Sequence, residues 1–442
     1  MARYRGNPDA IKALVRPDAV HKDVYLSEEL FELEMEHLFR NAWVFVGHDS
    51  QIPGAGDYIT TQLGSEPIIM IRDKDGGINL LLNRCAHKGA KLANQHKGTS
   101  RSVLRCPYHG WTYEHTGALK FIPLADGYDN TDMYTSQCGA GLARIENVNN
   151  YRGFVFARLN DKGQSFEDYF GETLSSIDNM ADRSPEGRLE IAGGVFRYKH
   201  DCNWKLFVEN LNDNMHPMVA HDSSAGTAKE AWYSGEHPEG AIKPMVVEQF
   251  EPFVAGYEFM DKMGVRIGPN GHSYGGVNVS IHSAYSEIEE YTQAMVAAYG
   301  QDRSDEIFKI NRHNTVYYPT LTIKGAIQTI RVARPVSVNE TILESWTLRL
   351  VGAPEELLAR SVMYNRLINA PTSVVGHDDL HCYRGIQQGL KASTTPWVSL
   401  HRLYDESENI DITGTYNGNN EVSMRGQYRA WRDRMTEDMT SE

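Results

Sequence analysis

The chain has 442 residues, 41% of them hydrophobic and 23% charged, with a net charge of −14. That is the composition of an ordinary globular protein with room for two or three domains, and its acidity argues against nucleic acid or anionic membrane as partners. No apolar run approaches a membrane span, the opening Met-Ala-Arg-Tyr-Arg-Gly has no signal-peptide core, and five cysteines make no disulfide framework, so a reducing cytoplasm is expected.

Ser27 is placed to cap a helix whose apolar positions Phe31, Met35, Leu38 and Phe39 follow helical spacing. After Arg40 short β-like runs take over. Ala42–Val46 is one, Ile68–Ile71 and Ile78–Leu82 flank Asp73-Lys-Asp-Gly-Gly77 as a hairpin, and Gly153–Leu159 closes the region. Helical patterns then fit Glu172–Ala181, Trp204–Met215, Ser286–Tyr299 and Pro354–Asn369. Strands are expected at Val195–Lys199, Thr320–Lys324, Gln328–Ala333 and Ile342–Leu350. Strands beside helices without strict alternation point to an α+β domain. The expected organisation is an N-terminal helical arm at 1–40, a mostly β domain at 41–163 and an α+β domain at 164–442. The segment Asp405-Glu-Ser-Glu-Asn-Ile-Asp411 lacks the central glycine of a calcium loop and reads as a surface loop.

Two groups of residues carry chemistry. In the β region, Cys85-Ala-His87 and Cys106-Pro-Tyr-His109 each supply one thiolate and one imidazole, eighteen residues apart. Zinc fingers usually place both cysteines in the first pair and both histidines in the second. Alternating Cys-His pairs suit a [2Fe–2S] centre in which two histidines replace two cysteines on one iron; zinc is the competing reading. Gly89, Pro107 and Gly110 suit tight loops around such a centre, and Tyr108 and Trp111 are placed to shield it. Cys138, Cys202 and Cys382 show no ligand spacing and are expected to be small buried residues.

The second group is Glu209-Asn-Leu-Asn-Asp213-Asn-Met-His216-Pro-Met-Val-Ala-His221. Asp213 and His216 share a helical face, and Pro217 favours a distortion that brings His221 toward His216. Two histidines and a carboxylate from elsewhere make the facial triad of oxygen-activating Fe(II) enzymes.

Together these motifs mark a resemblance. Asn83-Arg-Cys-Ala-His-Lys-Gly-Ala with Cys106-Pro-Tyr-His-Gly-Trp111, followed by Asn203-Trp-Lys-Leu-Phe-Val-Glu-Asn-Leu-Asn-Asp213 running into His216 and His221, resembles the Rieske non-haem iron oxygenases over nearly the whole chain. The likeness is greatest to large (alpha) subunits of aromatic ring-hydroxylating oxygenases of the benzoate, terephthalate and salicylate kind. It implies a β-sandwich cluster domain beside an α+β helix-grip domain with a curled antiparallel sheet. Cys85, His87, Cys106 and His109 are then the cluster ligands, and His216 and His221 ligate a mononuclear Fe(II). Gly376-His377-Asp378-Asp379 stands where the family supplies its third ligand, and Asp379 is preferred over Asp378. Lys88 stands where an Arg is frequent in the family, and His377 is expected to be a loop residue. By the same likeness Asp213 joins His216 to His109 of a neighbouring chain, and Asn210 sits near the iron.

The implied activity is that of a terminal oxygenase. It uses O2 and NAD(P)H-derived electrons from a separate reductase, with or without a ferredoxin, to hydroxylate or dihydroxylate an aromatic ring. A small (beta) subunit and an alpha3beta3 hexamer or alpha3 trimer follow from the resemblance. No Gly-rich dinucleotide fingerprint is present, so the nicotinamide is expected to bind elsewhere. Leu211 and Val375 are candidate pocket walls. An aromatic carboxylate needs a cation, and Arg331 or Arg334 are candidates on one strand; being three apart, only one can point inward. A Rieske demethylase or N-oxygenase is the alternative within the enzyme class, and a Rieske electron carrier the alternative outside it.

Overall fold

The computed structural model describes residues 3–132, 140–282, 287–409, 413–437 and 439. The chain forms two compact units, one of Phe39–Gly163 and one of Met1–Leu38 with Gln164–Glu442.

The smaller unit is a β-sandwich built from short antiparallel strands. Glu66–Arg72 pairs with Ile78–Leu82 across the Asp73–Gly77 turn, where Asp73 Oδ1 accepts from the backbone N–H of Asp75 and Gly77. Asp57–Leu63 and Lys97–Thr99 complete that four-stranded sheet. Val44–His48, Asn147–Tyr151 and Phe154–Arg158 form a second, and Leu104–Arg105, Thr112–Tyr113 and Leu119–Phe121 a third. Cys85, Cys106, Trp111, Tyr113, Ile69, Ile71 and Leu81 share one buried core, so both thiols are held at the inner ends of their loops.

The larger unit is α+β, organised on an eight-stranded antiparallel sheet. Its central strands are Leu321–Lys324, Thr329–Ser337 and Glu340–Leu350, flanked on one side by the edge strand Leu189–His200. Strand alternation divides it into two faces. One carries Ile323, Ile330 and Trp346, all buried, and its Thr315 hydroxyl bonds Ser176 on the helix Leu174–Asp182. The opposite face carries Thr322, Lys324, Thr329, Arg331 and Ser345. There Arg331 lies over the Phe207 ring of helix α1 (Trp204–Leu211), and Ser345 bonds Asn365 beyond helix α2 (Glu355–Tyr364). Helix α3 (Val374–Gly389) and helix α4 (Val422–Thr436) pack nearby, α4 through Gln427, which accepts from Asn212 at the end of α1.

Several elements differ from the sequence expectation. Helix α1 stops at Leu211, so Asp213 lies past its end and not within a helix reaching Met215. The Pro354–Asn369 pattern resolves into α2 and a π-helical turn at Asn365–Asn369. The segment around His377, expected to be a loop residue, is helical over Val374–Gly389: Ser373 Oγ accepts from Gly376 N–H at 2.9 Å and caps the first turn. His377 is accordingly an exposed helical residue. Cys202 is buried as expected, whereas Cys382 is exposed on the outer side of α3. In the expected surface loop, Glu408 instead pairs with Arg425 of α4 at 2.6 Å with both side chains almost fully covered. Cys138, Ser286 and Asp411 lie outside the described residues.

Candidate metal centres

The two Cys-His loops of the β unit repeat one backbone design. Cys85 N–H bonds the carbonyl of Ala90 and Gly89 N–H bonds that of Cys85; Cys106 N–H bonds the carbonyl of Trp111 and Gly110 N–H that of Cys106. Gly89 and Gly110 turn their loops with φ of 75° and 74°, where a side chain would be strained. The thiols point inward and the histidines outward. Cys85 and Cys106 are buried, His87 is partly covered and His109 is exposed. The two imidazoles meet edge-on with ring centres 4.7 Å apart, and His87 stacks on buried Trp111 at 4.8 Å. Tyr108 packs on His109 but is 66% exposed, so only Trp111 fulfils the expected shielding from within. Burial and the neighbouring His109 hold His87 below the usual histidine range. A neutral imidazole is the form that binds metal. Two buried thiols and two adjacent outward imidazoles on paired loops fit the donor set of a [2Fe–2S] centre with one two-histidine iron.

In the larger unit, His216, His221 and Asp379 converge, with ligand atoms all within 4.8 Å of one another. Pro217 opens the short helix Pro217–Ala220, which separates the two histidines and turns their rings toward each other at 5.4 Å. Asp379 Oδ1 lies 3.6 Å from His216 Nε2 and 3.4 Å from His221 Nε2. Ligands about 2.1 Å from one ion stand about 3 Å apart at right angles and about 3.4 Å apart at the tetrahedral angle, so these two edges are within a few tenths of an ångström of what a small divalent cation draws together. Two imidazoles and one carboxylate on one side leave the remaining positions open, as non-haem Fe(II) requires.

The surrounding groups orient these three. Asp378 Oδ2 lies 3.4 Å from His221 Nδ1, which directs the Nε2 lone pair toward Asp379. Asn210 on α1 reaches both His216 Nε2, at 3.0 Å, and Asp379 Oδ1, at 3.1 Å. Burial lowers the His216 pKa, against the pull of Asp379 and Asp213. Asp213 Oδ2 stands 3.9 Å from His216 Nδ1, beyond hydrogen-bond reach. Its other oxygen accepts from Arg402 Nη2 at 3.0 Å and from Met215 N–H at 2.8 Å. Arg402 was not among the residues singled out from sequence. It lies 189 residues from Asp213, and no local pattern links them.

The proposed pocket residues divide. Val375 is buried in one apolar cluster with Phe253, Ile327, Tyr364 and Ile368, and Phe253 packs edge-on against His221 at 5.7 Å. Leu211 is buried at the end of α1, where its carbonyl accepts from Asn314. Arg331 and Arg334 do point to opposite faces. Arg334 pairs with Glu344 at 3.4 Å on the face away from α1, whereas Arg331 lies over Phe207 at 4.5 Å.

Residues 42–136 match the Rieske [2Fe-2S] domain family, and residues 192–437 match the ring hydroxylating alpha subunit (catalytic domain) family. The second match spans more than half the chain. The protein belongs to the ring-hydroxylating oxygenase alpha-subunit family. Within it, the chain is 30% identical over 388 residues to the 2-halobenzoate 1,2-dioxygenase large subunit of Burkholderia cepacia, covering 86% of this chain and 79% of that one. It is 30% identical over 392 residues to the anthranilate 1,2-dioxygenase large subunit of Acinetobacter baylyi, covering 88% and 80%. Among solved structures, naphthalene 1,2-dioxygenase with indole in its active site superposes with a TM-score of 0.76 at 23% identity, covering 96% of this chain and 94% of that one. Family membership makes the cofactors a Rieske [2Fe–2S] cluster and a mononuclear iron. As a family member the chain is the large subunit of a multicomponent terminal oxygenase acting on aromatic compounds. Among the described residues, no helix is long and apolar enough to cross a membrane.

Proposed function

We propose that this oxygenase hydroxylates the ring of an aromatic carboxylic acid, with Cys85, His87, Cys106 and His109 holding the cluster and His216, His221 and Asp379 holding the iron. The observation that carries the reading is the convergence of two Nε2 atoms and one carboxylate oxygen beside a buried aromatic and aliphatic wall. The acid preference is supported by relatives named for 2-halobenzoate, toluate and anthranilate.

Held by Cys85, His87, Cys106 and His109, the cluster would supply electron storage, and held by His216, His221 and Asp379 the mononuclear iron would supply activation of O2 beside the substrate. The protein's part is positioning. Asp378 holds the His221 tautomer, Asn210 steadies Asp379 through its Oδ1, and the Phe253–Val375 wall excludes water from the reacting ring. Insertion of both oxygen atoms into adjacent ring carbons takes up two electrons and two protons and gives a cis-diol. The electrons come from NAD(P)H through a separate reductase, with or without a ferredoxin.

In this proposal Asp213 is the electron crossing point, bridging His109 of the partner subunit to His216 once assembly closes the 3.9 Å separation from His216 Nδ1. The outward setting of His109 and the half-buried setting of Asp213 support it. Arg402, bonded to the far oxygen of Asp213, fixes the direction in which that carboxylate points. Such a crossing requires a ring of chains, an alpha3 trimer or an alpha3beta3 hexamer with a small subunit, in the cytoplasm.

The test is a single turnover of chemically reduced protein in labelled O2. It is offered aromatic acids, neutral arenes, and methoxy or amine substrates, with products read by mass spectrometry. A labelled diol or phenol from an acid supports the proposal. Formaldehyde or an oxidised amine, with the acids untouched, transfers the protein to the demethylase or N-oxygenase class.

A further inference from the structure

Lys324 ends a central strand on the sheet face that carries Thr329 and Arg331, and it is 5% exposed. Its ammonium has three N–H donors. Among the described residues it makes one hydrogen bond, from Nζ to Tyr364 Oη at 3.0 Å, and no carboxylate lies within ion-pair distance. The buried cations Lys205 and Arg425 each meet a buried carboxylate, Glu34 and Glu408, at 2.5 Å and 2.6 Å. Burying an ammonium without a counter-charge is costly and lowers its pKa, and a ligand carboxylate at Nζ would supply the missing charge. Burial pushes Lys324 down to about 7, with Arg331 adding to the shift and Asp379 opposing it.

The surroundings suit a small ring acid. Nζ lies 5.9 Å from the centre of the Phe253 ring, and that same ring packs against His221 at 5.7 Å, so the cation and the iron triad flank one aromatic side chain. Tyr364 and Val375 belong to the same apolar cluster as Phe253. His282 packs edge-on against Tyr364 at 5.5 Å and stacks on His313 at 5.1 Å. Nδ1 of His313 is buried with no hydrogen-bond partner among the described residues. Burial, reinforced by the Lys324 charge, keeps both imidazoles neutral. Arg331 is engaged differently, over Phe207 and hydrogen-bonded with Tyr198, and Arg334 is neutralised by Glu344.

We propose that Lys324 is the carboxylate anchor of the substrate site. It takes the carboxylate of a monocyclic aromatic acid and holds the ring along Phe253 toward His216, His221 and Asp379. The inference rests on the aromatic-acid reading above and assigns its specificity to one residue that the sequence did not single out.

The test compares the parent protein, with both iron centres loaded, against Lys324→Met and Lys324→Arg. Binding of benzoate, anthranilate and salicylate, each beside its neutral amide, is measured by calorimetry, and product yield in single turnover is measured in parallel. Removing one partner of a buried charge pair costs about 2 kcal/mol or more. Lys324→Met is therefore expected to weaken the acids about 30-fold or more. The amides should be unaffected, and Lys324→Arg should restore much of the acid affinity. A Lys324→Met protein that binds and oxidises the acids like the parent overturns the anchor while leaving the acid reading intact. A parent that oxidises neutral arenes or amines but no acid overturns the acid reading, and the anchor with it. Should Lys324→Met fail to fold, the parent decides alone: equal affinity for acid and amide overturns the anchor.

Discussion

Asp378 and Asp379 are adjacent, yet a helix turns them to different work. Asp379 faces the two Nε2 atoms, whereas Asp378 reaches the far side of the His221 ring. Asp379→Ala is expected to lose the mononuclear iron and all turnover while the cluster keeps its visible absorption. Asp378→Asn should keep the iron with affinity lowered about 10- to 100-fold. Iron analysis after dialysis against a chelator distinguishes the two, and an Asp379→Ala protein that retained the mononuclear iron would count against its ligand role. His272 offers a separate test. Its Nδ1 accepts from Tyr318 N–H at 2.9 Å, and burial pushes its pKa down to about 3. Between that value and the unfolded value of about 6.5, the unfolded chain carries a proton that the folded chain does not. Stability therefore falls as pH drops from about 6.5 toward 3. His272→Gln should shrink the loss of melting temperature between pH 7.5 and 5.5; an unchanged loss would reject this assignment. At this scale the sequence was informative where residues sit close in the chain. The Cys-His pairs and His216 with His221 could be singled out from spacing alone. Lys324 and Arg402 could not, because each matters through partners 40 and 189 residues away.

Helix α1 is anchored by charge as well as by packing. Lys205 and Glu34 meet at 2.5 Å with both side chains fully buried, and the indoles of Trp204 and Trp431 also donate to Glu34. One carboxylate thus ties the N-terminal arm, α1 and α4 together, and α1 carries Asn210 to the iron triad. Glu34→Leu leaves Lys205 charged and unpaired and is expected to cost about 3–5 kcal/mol. Glu34→Leu with Lys205→Met should recover most of that, read from thermal or urea unfolding of the larger unit. Additive losses in the double variant would mean that packing, not the charge pair, holds the arm. The element scale also shows why some helices were legible and others not. The Asp73–Gly77 hairpin and the central strands declare themselves by alternation and turn residues. Helix α3 does not, because Gly376, His377, Asp378 and Asp379 interrupt its apolar spacing where the site needs polar groups. The Ser373 cap was present in the sequence, but Pro371 two residues earlier reads equally well as the end of the preceding helix.

For the whole molecule the consequence lies in how chains cooperate. The larger unit holds the triad and Asp213, and the smaller holds outward-facing His87 and His109. If electrons cross between chains at Asp213, a chain with a ruined cluster can still work beside one with a ruined triad. On the proposed ring assembly, co-expressing differently tagged Cys106→Ser and Asp379→Ala chains and purifying on both tags would yield mixed rings. Each variant alone is expected to be inactive. In a mixed ring an intact cluster faces an intact triad wherever the order of chains brings them together, so a fraction of parental turnover should return. Adding Asp213→Ala to the Cys106→Ser chain removes the carboxylate from the only working triads and should abolish the recovery. The same substitution on the Asp379→Ala chain touches a triad already dead and should leave it. That asymmetry separates the crossing from a merely structural need for Asp213, since a folding defect would act from either chain. Mixed rings with no activity at all would instead assign electron transfer to a single chain and withdraw the partner contact from the proposal.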